Sequence, residues 1–270
     1  MSNFKTWVFP IVAAILSIVL LKLPYQWMFP NFSEFHQDLM ISALKGLLII
    51  GFSVFLIWRY RLWRNACFPL NRLRSLTPLY PALFLVLLFI LISVKSYRDF
   101  PANIPLILAV VGITILRTSA EELICRGVMQ SWFMGQGKSP RHSILFSSLI
   151  FAFMHVSNIL VHGDWVSVIN QVIFAFFMGL LFGSVVLMTR NILFSCLLHT
   201  LTNLPAAFKK FNPGPDLPEL DETAVVSFGD SVLQVVVFVI IFSPLIAIAI
   251  YYINHRRWMP EQPPAAENQV

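Results

Sequence analysis

The chain has 270 residues, of which 57% are hydrophobic and 12% charged, with a mean hydropathy of +0.75 and a formal net charge of +6. A soluble domain is about 45–50% apolar and about 25% charged, so this composition leaves too little polar surface to coat a soluble globule, and an aromatic content of 14% excludes a disordered chain. What remains is an all-α polytopic membrane bundle, because lipid forces backbone polar groups to be satisfied within helices. The basic residues punctuate apolar runs and form no continuous stripe, so the expected partner is the lipid bilayer and not nucleic acid.

A bilayer-spanning helix needs about 20 mostly apolar residues. Segments near that length run over 7–29, 41–58, 78–94, 104–133, 143–161, 171–189, 192–208 and 232–253, which predicts about eight transmembrane helices. The first follows Lys5 like a signal peptide, but it is long and no small-residue cleavage site closes it, so it reads as a span. Residues 1–103 hold the first three helices, 104–208 a core of the fourth to seventh, and 209–258 an external loop and the eighth. The tail 259–270, rich in proline and polar residues, reads as disordered. In the loop that opens the third of these divisions, Pro213, Gly214, Pro215 and Pro218 cannot continue a helix.

Loop charge sets orientation. Lys5, Arg59, Arg61, Arg64, Arg72, Arg74, Lys138, Arg141, Arg190, Arg256 and Arg257 fall on one side, against Lys95, Arg98, Lys209 and Lys210 on the other. This asymmetry puts both termini in the cytoplasm. Cys67, Cys125 and Cys196 form no CxxC or paired pattern and read as buried thiols. Lys22 and Lys45 are expected to snorkel or pair. His36, His142, His162 and His255 are expected at loops or boundaries.

Ionisable groups inside a span cost a few kcal/mol each and so mark function or tight pairing. The fourth segment carries Arg117, Glu121, Glu122 and Arg126. Glu122 and Arg126 are spaced i, i+4 with the acid first, the favourable order, and Arg117 precedes Glu121 by the same interval. Adjacent residues lie about 100° apart on a helix, so the two glutamates cannot share one face. One can be tied to Arg126 while the other turns toward a cavity. The fifth segment carries His155, and the seventh carries His199 and Asn203 on one face. At about 1.5 Å per residue, His199 lies roughly 12 Å, and His155 and Glu121 each roughly 18 Å, from the cytoplasmic ends of their helices, so all three can meet near mid-bilayer.

A buried carboxylate can share its proton with a neighbouring imidazole, and such a pair can serve as general base for water. A His and an Asn on a third helix can donate to the oxygen that becomes negative when water attacks an amide. These are the parts of a peptide hydrolase without a covalent intermediate, and neither GxSxG nor HExxH occurs. The same cluster could hold zinc through two His and one Glu, with water in the fourth place. A proton-coupled transporter or a non-catalytic membrane scaffold would use the same residue types; a transporter should show paired broken helices in corresponding halves, and none is evident.

Glu121-Glu122-x-x-x-Arg126, Phe151-x-x-x-His155 and His199-x-x-x-Asn203, in this order on three membrane helices, resemble the motifs of the CPBP (CAAX protease and bacteriocin-processing, Abi/Rce1-like) family of intramembrane proteases. The resemblance implies that Glu121 activates water together with His155, that His199 and Asn203 form the oxyanion site, and that Glu122 and Arg126 support the fourth helix. It implies a glutamic-type reaction without a cofactor, with the zinc version left open. The implied substrate is a membrane protein or lipidated peptide, and the compact chain reads as a bacterial member in the cytoplasmic membrane.

Overall fold

The apolar runs fold as helices, and each break between them carries its own stop and start signals. The structure, a computed structural model, describes residues 3–64, 79–92, 97, 100–101, 103–159, 165–212 and 228–254. Among the described residues there is no strand. The long helices are α1 Asn3–Lys22, α2 Glu34–Arg59, α3 Tyr80–Ile92, α4 Ile104–Gly135, α5 Pro140–Val156, α6 Trp165–Thr189, α7 Ile192–Lys210 and α8 Phe228–Asn254. All eight expected segments are therefore helical, with ends displaced by up to seven residues. The loop residues beyond 212, the tail 259–270, Cys67, His162, His255 and several of the loop cations lie outside the described residues.

Caps explain the boundaries. Asn103, Ser139 and Asn191 each accept a backbone N–H of the first turn of α4, α5 and α7, from Leu106 at 3.1 Å, His142 at 3.4 Å and Leu193 at 2.9 Å. Gly137, at φ +73°, follows the end of α4, where a residue without Cβ takes the left-handed conformation freely. Arg190, at φ 55°, makes the abrupt reversal between α6 and α7.

α6 is the hub. It packs on α5, α7 and α8, while α4 packs between α2 and α7. Leu181, Phe182 and Val185 of α6 are fully buried. One apolar core joins α1, α2, α4, α5 and α6, and a second joins α3, α6, α7 and α8. The outward faces are apolar too: Ile15, Phe55, Phe84, Leu108, Phe153, Leu197 and Ile240 are all exposed, as lipid contact requires.

Among the described residues, α2, α4 and α6 are long and apolar enough to cross a membrane by length and composition. Eight helices stand where about eight spans are expected, and among the described residues three of them qualify as spans by that measure. The physical reason is local. The described part of α3 is 13 residues long, and α5 and α7 are diluted by the serines, threonines, histidines and asparagine that form the interior described below.

Two further expectations divide. Lys22 pairs, its ammonium donating to Asn158 Oδ1 at 3.0 Å, and Lys45 lies 5.7 Å from the Tyr25 ring centroid. Cys125 is buried, but Cys196 is half-buried, a correction that follows from its place one residue beyond the inward-facing Ser195. His36 and His142 are exposed, each beside the serine three residues before it.

Candidate active site

The polar residues of α4 enter the bundle at a change of helix type. The α-helix runs to Glu122, and the next eight residues, Leu123–Gln130, form a π-helix before α-helix resumes at Ser131. π-turns are rare and concentrate at functional positions. Glu122, the last α-helical residue, and Arg126, within the π-helix, pair at i, i+4, and Ser131 Oγ donates to the Arg126 carbonyl at 2.9 Å.

Glu122 is fully buried and has three partners. Arg126 Nε lies 3.3 Å from its Oε2, His199 Nδ1–H donates to Oε1 at 2.9 Å, and the Ser195 hydroxyl donates to Oε2. A buried carboxylate needs this degree of compensation, because desolvation of an unpaired charge would cost far more than one contact returns. Arg126, 1% exposed, is held in turn by the Gly179 carbonyl, to which its Nη2 donates at 3.0 Å, and by the rings of Phe151 and Phe182 at 5.1 and 5.8 Å.

Glu121 points elsewhere. Its side chain is 24% exposed, and its Oε2 lies 3.6 Å from His199 Nε2. The expectation that the two glutamates diverge is met: one is locked to Arg126 and the other faces partly open space. Yet a single imidazole reaches both, because His199 presents one ring nitrogen to each carboxylate. Phe182 stacks on that imidazole at 4.8 Å and 28°, fixing its plane. Arg117, four residues before Glu121, is exposed and forms no ion pair with it among the described residues.

His155 stands one ring away. Its Nδ1–H donates to the Phe151 carbonyl at 2.9 Å, which leaves Nε2 as the free nitrogen. Phe151 lies edge-on between the imidazoles, 4.8 Å from His155 and 5.9 Å from His199. No hydrogen bond or ion pair joins His155 to Glu121 among the described residues. Asn203 lies one turn beyond His199 on α7, half-buried and with no hydrogen bond among the described residues. The structure therefore gathers Glu121, Glu122, Arg126 and His199 into one contact network and sets His155 and Asn203 beside it.

Along α4 the exposure falls from 24% for the Glu121 side chain to 0% at Glu122, 1% at Arg126 and 2% at Gln130.

A zinc ion would need two imidazole nitrogens and a carboxylate oxygen about 2 Å from one point. Among the described residues no group of three or more His, Cys, Asp or Glu is arranged to hold a metal; with Nδ1 of both histidines engaged, Nε2 is the nitrogen each would offer to one.

Several participants escape a reading of the sequence. Ser195 precedes His199 by four residues on the same face, a spacing that could have marked it. Gly179 and Gly183, also four apart, form a small-residue pair of the kind that brings membrane helices close. The π-turn has no signature in the residues.

Residues 100–205 match the family model described as type II CAAX prenyl endopeptidase Rce1-like. The match covers the helices that carry every group above and bears out the resemblance seen in the three motifs. No curated protein and no solved structure matches the chain.

Proposed function

We propose that this chain, Rce1-like over residues 100–205, is an intramembrane endopeptidase that hydrolyses a peptide bond of a membrane-associated protein by a glutamate-activated water. The observation that carries the reading is the imidazole of His199 held between two glutamates, 2.9 Å from Glu122 and 3.6 Å from Glu121. A bundle whose polar centre served packing alone would bury both acids against cations. Here one acid is left partly open.

Glu121 takes the proton of the attacking water, with the free Nε2 of His155 on the neighbouring helix as its partner. Hydrogen bonds of this kind often tighten only when substrate is bound, which accommodates the separation of the two groups. Glu122 and Arg126 hold His199 with Nε2 toward the Glu121 side. In the imidazolium form Nε2–H donates to the oxygen that becomes negative, and the uncommitted Asn203 amide is a second donor there. The reaction needs no covalent intermediate: water oxygen bonds to the carbonyl carbon, the C–N bond breaks, and the proton held by Glu121 passes to the departing nitrogen.

The substrate is a membrane-associated protein or lipidated peptide; the loop charges direct both termini to the cytoplasm, and the compact chain, read against the family it resembles, favours a bacterial inner membrane. The test is comparative proteomics of strains expressing the wild type and Glu121→Ala. A membrane protein should accumulate uncleaved in the variant strain, and the purified wild type, not the variant, should cut it. Identical proteomes, or purified Glu121→Ala cleaving at the wild-type rate, would remove the proposal.

A further inference from the structure

Gly179 of α6 lies on no motif used above, yet it touches both halves of the site. Its carbonyl is the fixed end of a polar relay. Arg126 Nη2 donates to it at 3.0 Å, Arg126 Nε reaches Glu122 at 3.3 Å, Glu122 takes the His199 Nδ1–H at 2.9 Å, and His199 Nε2 faces Glu121 at 3.6 Å. Neither Nη1 nor Nε of Arg126 has a hydrogen-bond partner, so besides the ion pair with Glu122 and the rings of Phe151 and Phe182 the guanidinium is placed by this carbonyl. On its other side, Gly179 lies against the backbone of α5. A Cβ there would come 2.9 Å from Ser148 Cβ, 3.1 Å from Ser148 Oγ and 3.2 Å from Ser148 Cα. Ser148 Oγ, fully buried, is aimed at this crossing without a hydrogen-bond partner, so nothing but the missing side chain of Gly179 accommodates it. Ser148 lies two turns before His155 on one face of α5.

We infer that Gly179 is a positioning residue for the reaction: its backbone fixes Arg126, and through it Glu122 and His199, while its lack of a side chain sets how closely α5, the His155 helix, packs on α6. This rests on the endopeptidase reading. Interiors are close-packed and do not absorb a methyl group without a shift. Here the atoms in the way include backbone, so the shift is of α5 against α6. Gly183, one turn on, is different. A Cβ there would meet the flexible end of Gln130, Oε1 at 2.9 Å, and Ile144 Cγ2 at 3.1 Å, and it is away from Arg126.

The experiment compares the full-length wild type with Gly179→Ala, Gly183→Ala, Ser148→Gly and the double variant Gly179→Ala with Ser148→Gly, each purified in detergent and assayed on the substrate found by proteomics, with melting measured in parallel. Misplacement by about 1 Å costs about 100-fold in rate, so Gly179→Ala should lose about 30- to 100-fold in kcat with KM changed less than about threefold. Gly183→Ala should stay within about fivefold of wild type. Removing the obstructing Ser148 side chain should return the double variant to within about fivefold of Ser148→Gly alone. Gly179→Ala at wild-type kcat, Gly183→Ala losing as much as Gly179→Ala, or a double variant as impaired as the single would each overturn the inference. If Gly179→Ala does not accumulate, the double variant decides: folded and active supports the inference, unfolded or inactive overturns it. A wild type that cuts nothing would instead mark failure of the endopeptidase reading, distinguishable because every variant would then be equally silent.

Discussion

Glu121 and Glu122 are neighbours in sequence but should respond oppositely to the same isosteric change. In Glu122→Gln the side chain keeps its shape and loses its charge, leaving Arg126, 1% exposed, with its cation uncompensated. Removing one partner of a buried pair costs about 3–5 kcal/mol. The Ser195 hydroxyl and the His199 Nδ1–H also lose a charged acceptor. Glu121 has a side chain 24% exposed and a single pairing at 3.6 Å. A partly solvated pair of that length is worth about 1 kcal/mol or less. At about 2–4 °C per kcal/mol, Glu122→Gln should lower the melting temperature in detergent by on the order of 10 °C, and Glu121→Gln by about 4 °C at most. In cleavage the order reverses in meaning. Glu121→Gln should lose about 10²–10⁴-fold, the usual contribution of a general base, while fully folded. Thermal unfolding read by tryptophan fluorescence, beside a cleavage assay on the same preparations, separates the two. Glu121→Gln melting as low as Glu122→Gln, or cleaving at the wild-type rate, would refute the division of roles.

Asn203→Ala should lower kcat by about 10²–10³-fold, the measured worth of one oxyanion donor. Because Asn203 has no hydrogen bond among the described residues, melting should be unchanged; a drop in stability without a drop in kcat would assign it to packing. Exhaustive chelation should leave the cleavage rate within about twofold, since water is activated by a carboxylate and not by a metal-lowered pKa; stoichiometric zinc in the purified protein, with activity lost on its removal and regained on its return, would overturn the glutamic assignment.

Much of the architecture was legible in the residues because lipid makes the code simple. Apolar runs of sufficient length must be helices, and Asn103, Ser139 and Asn191 mark where three of them start. The charges on the fourth segment, and the His and Asn on the fifth and seventh, stood out because each is expensive in that setting. Periodicity also told correctly that Glu121 and Glu122 would part, since a 100° step separates adjacent side chains.

What the residues could not tell is that one imidazole would serve both glutamates. That fact depends on where α7 sits against α4, and a contact between residues 122 and 199 is set by the packing of the whole bundle. The same holds for the π-turn at Leu123–Gln130, for Ser195 as the third partner of Glu122, and for Gly179, whose importance is a carbonyl and an absent side chain. One-dimensional spacing reports the face of a single helix. Only the packed helices fix distances between faces, and both burial and reactivity follow from those distances.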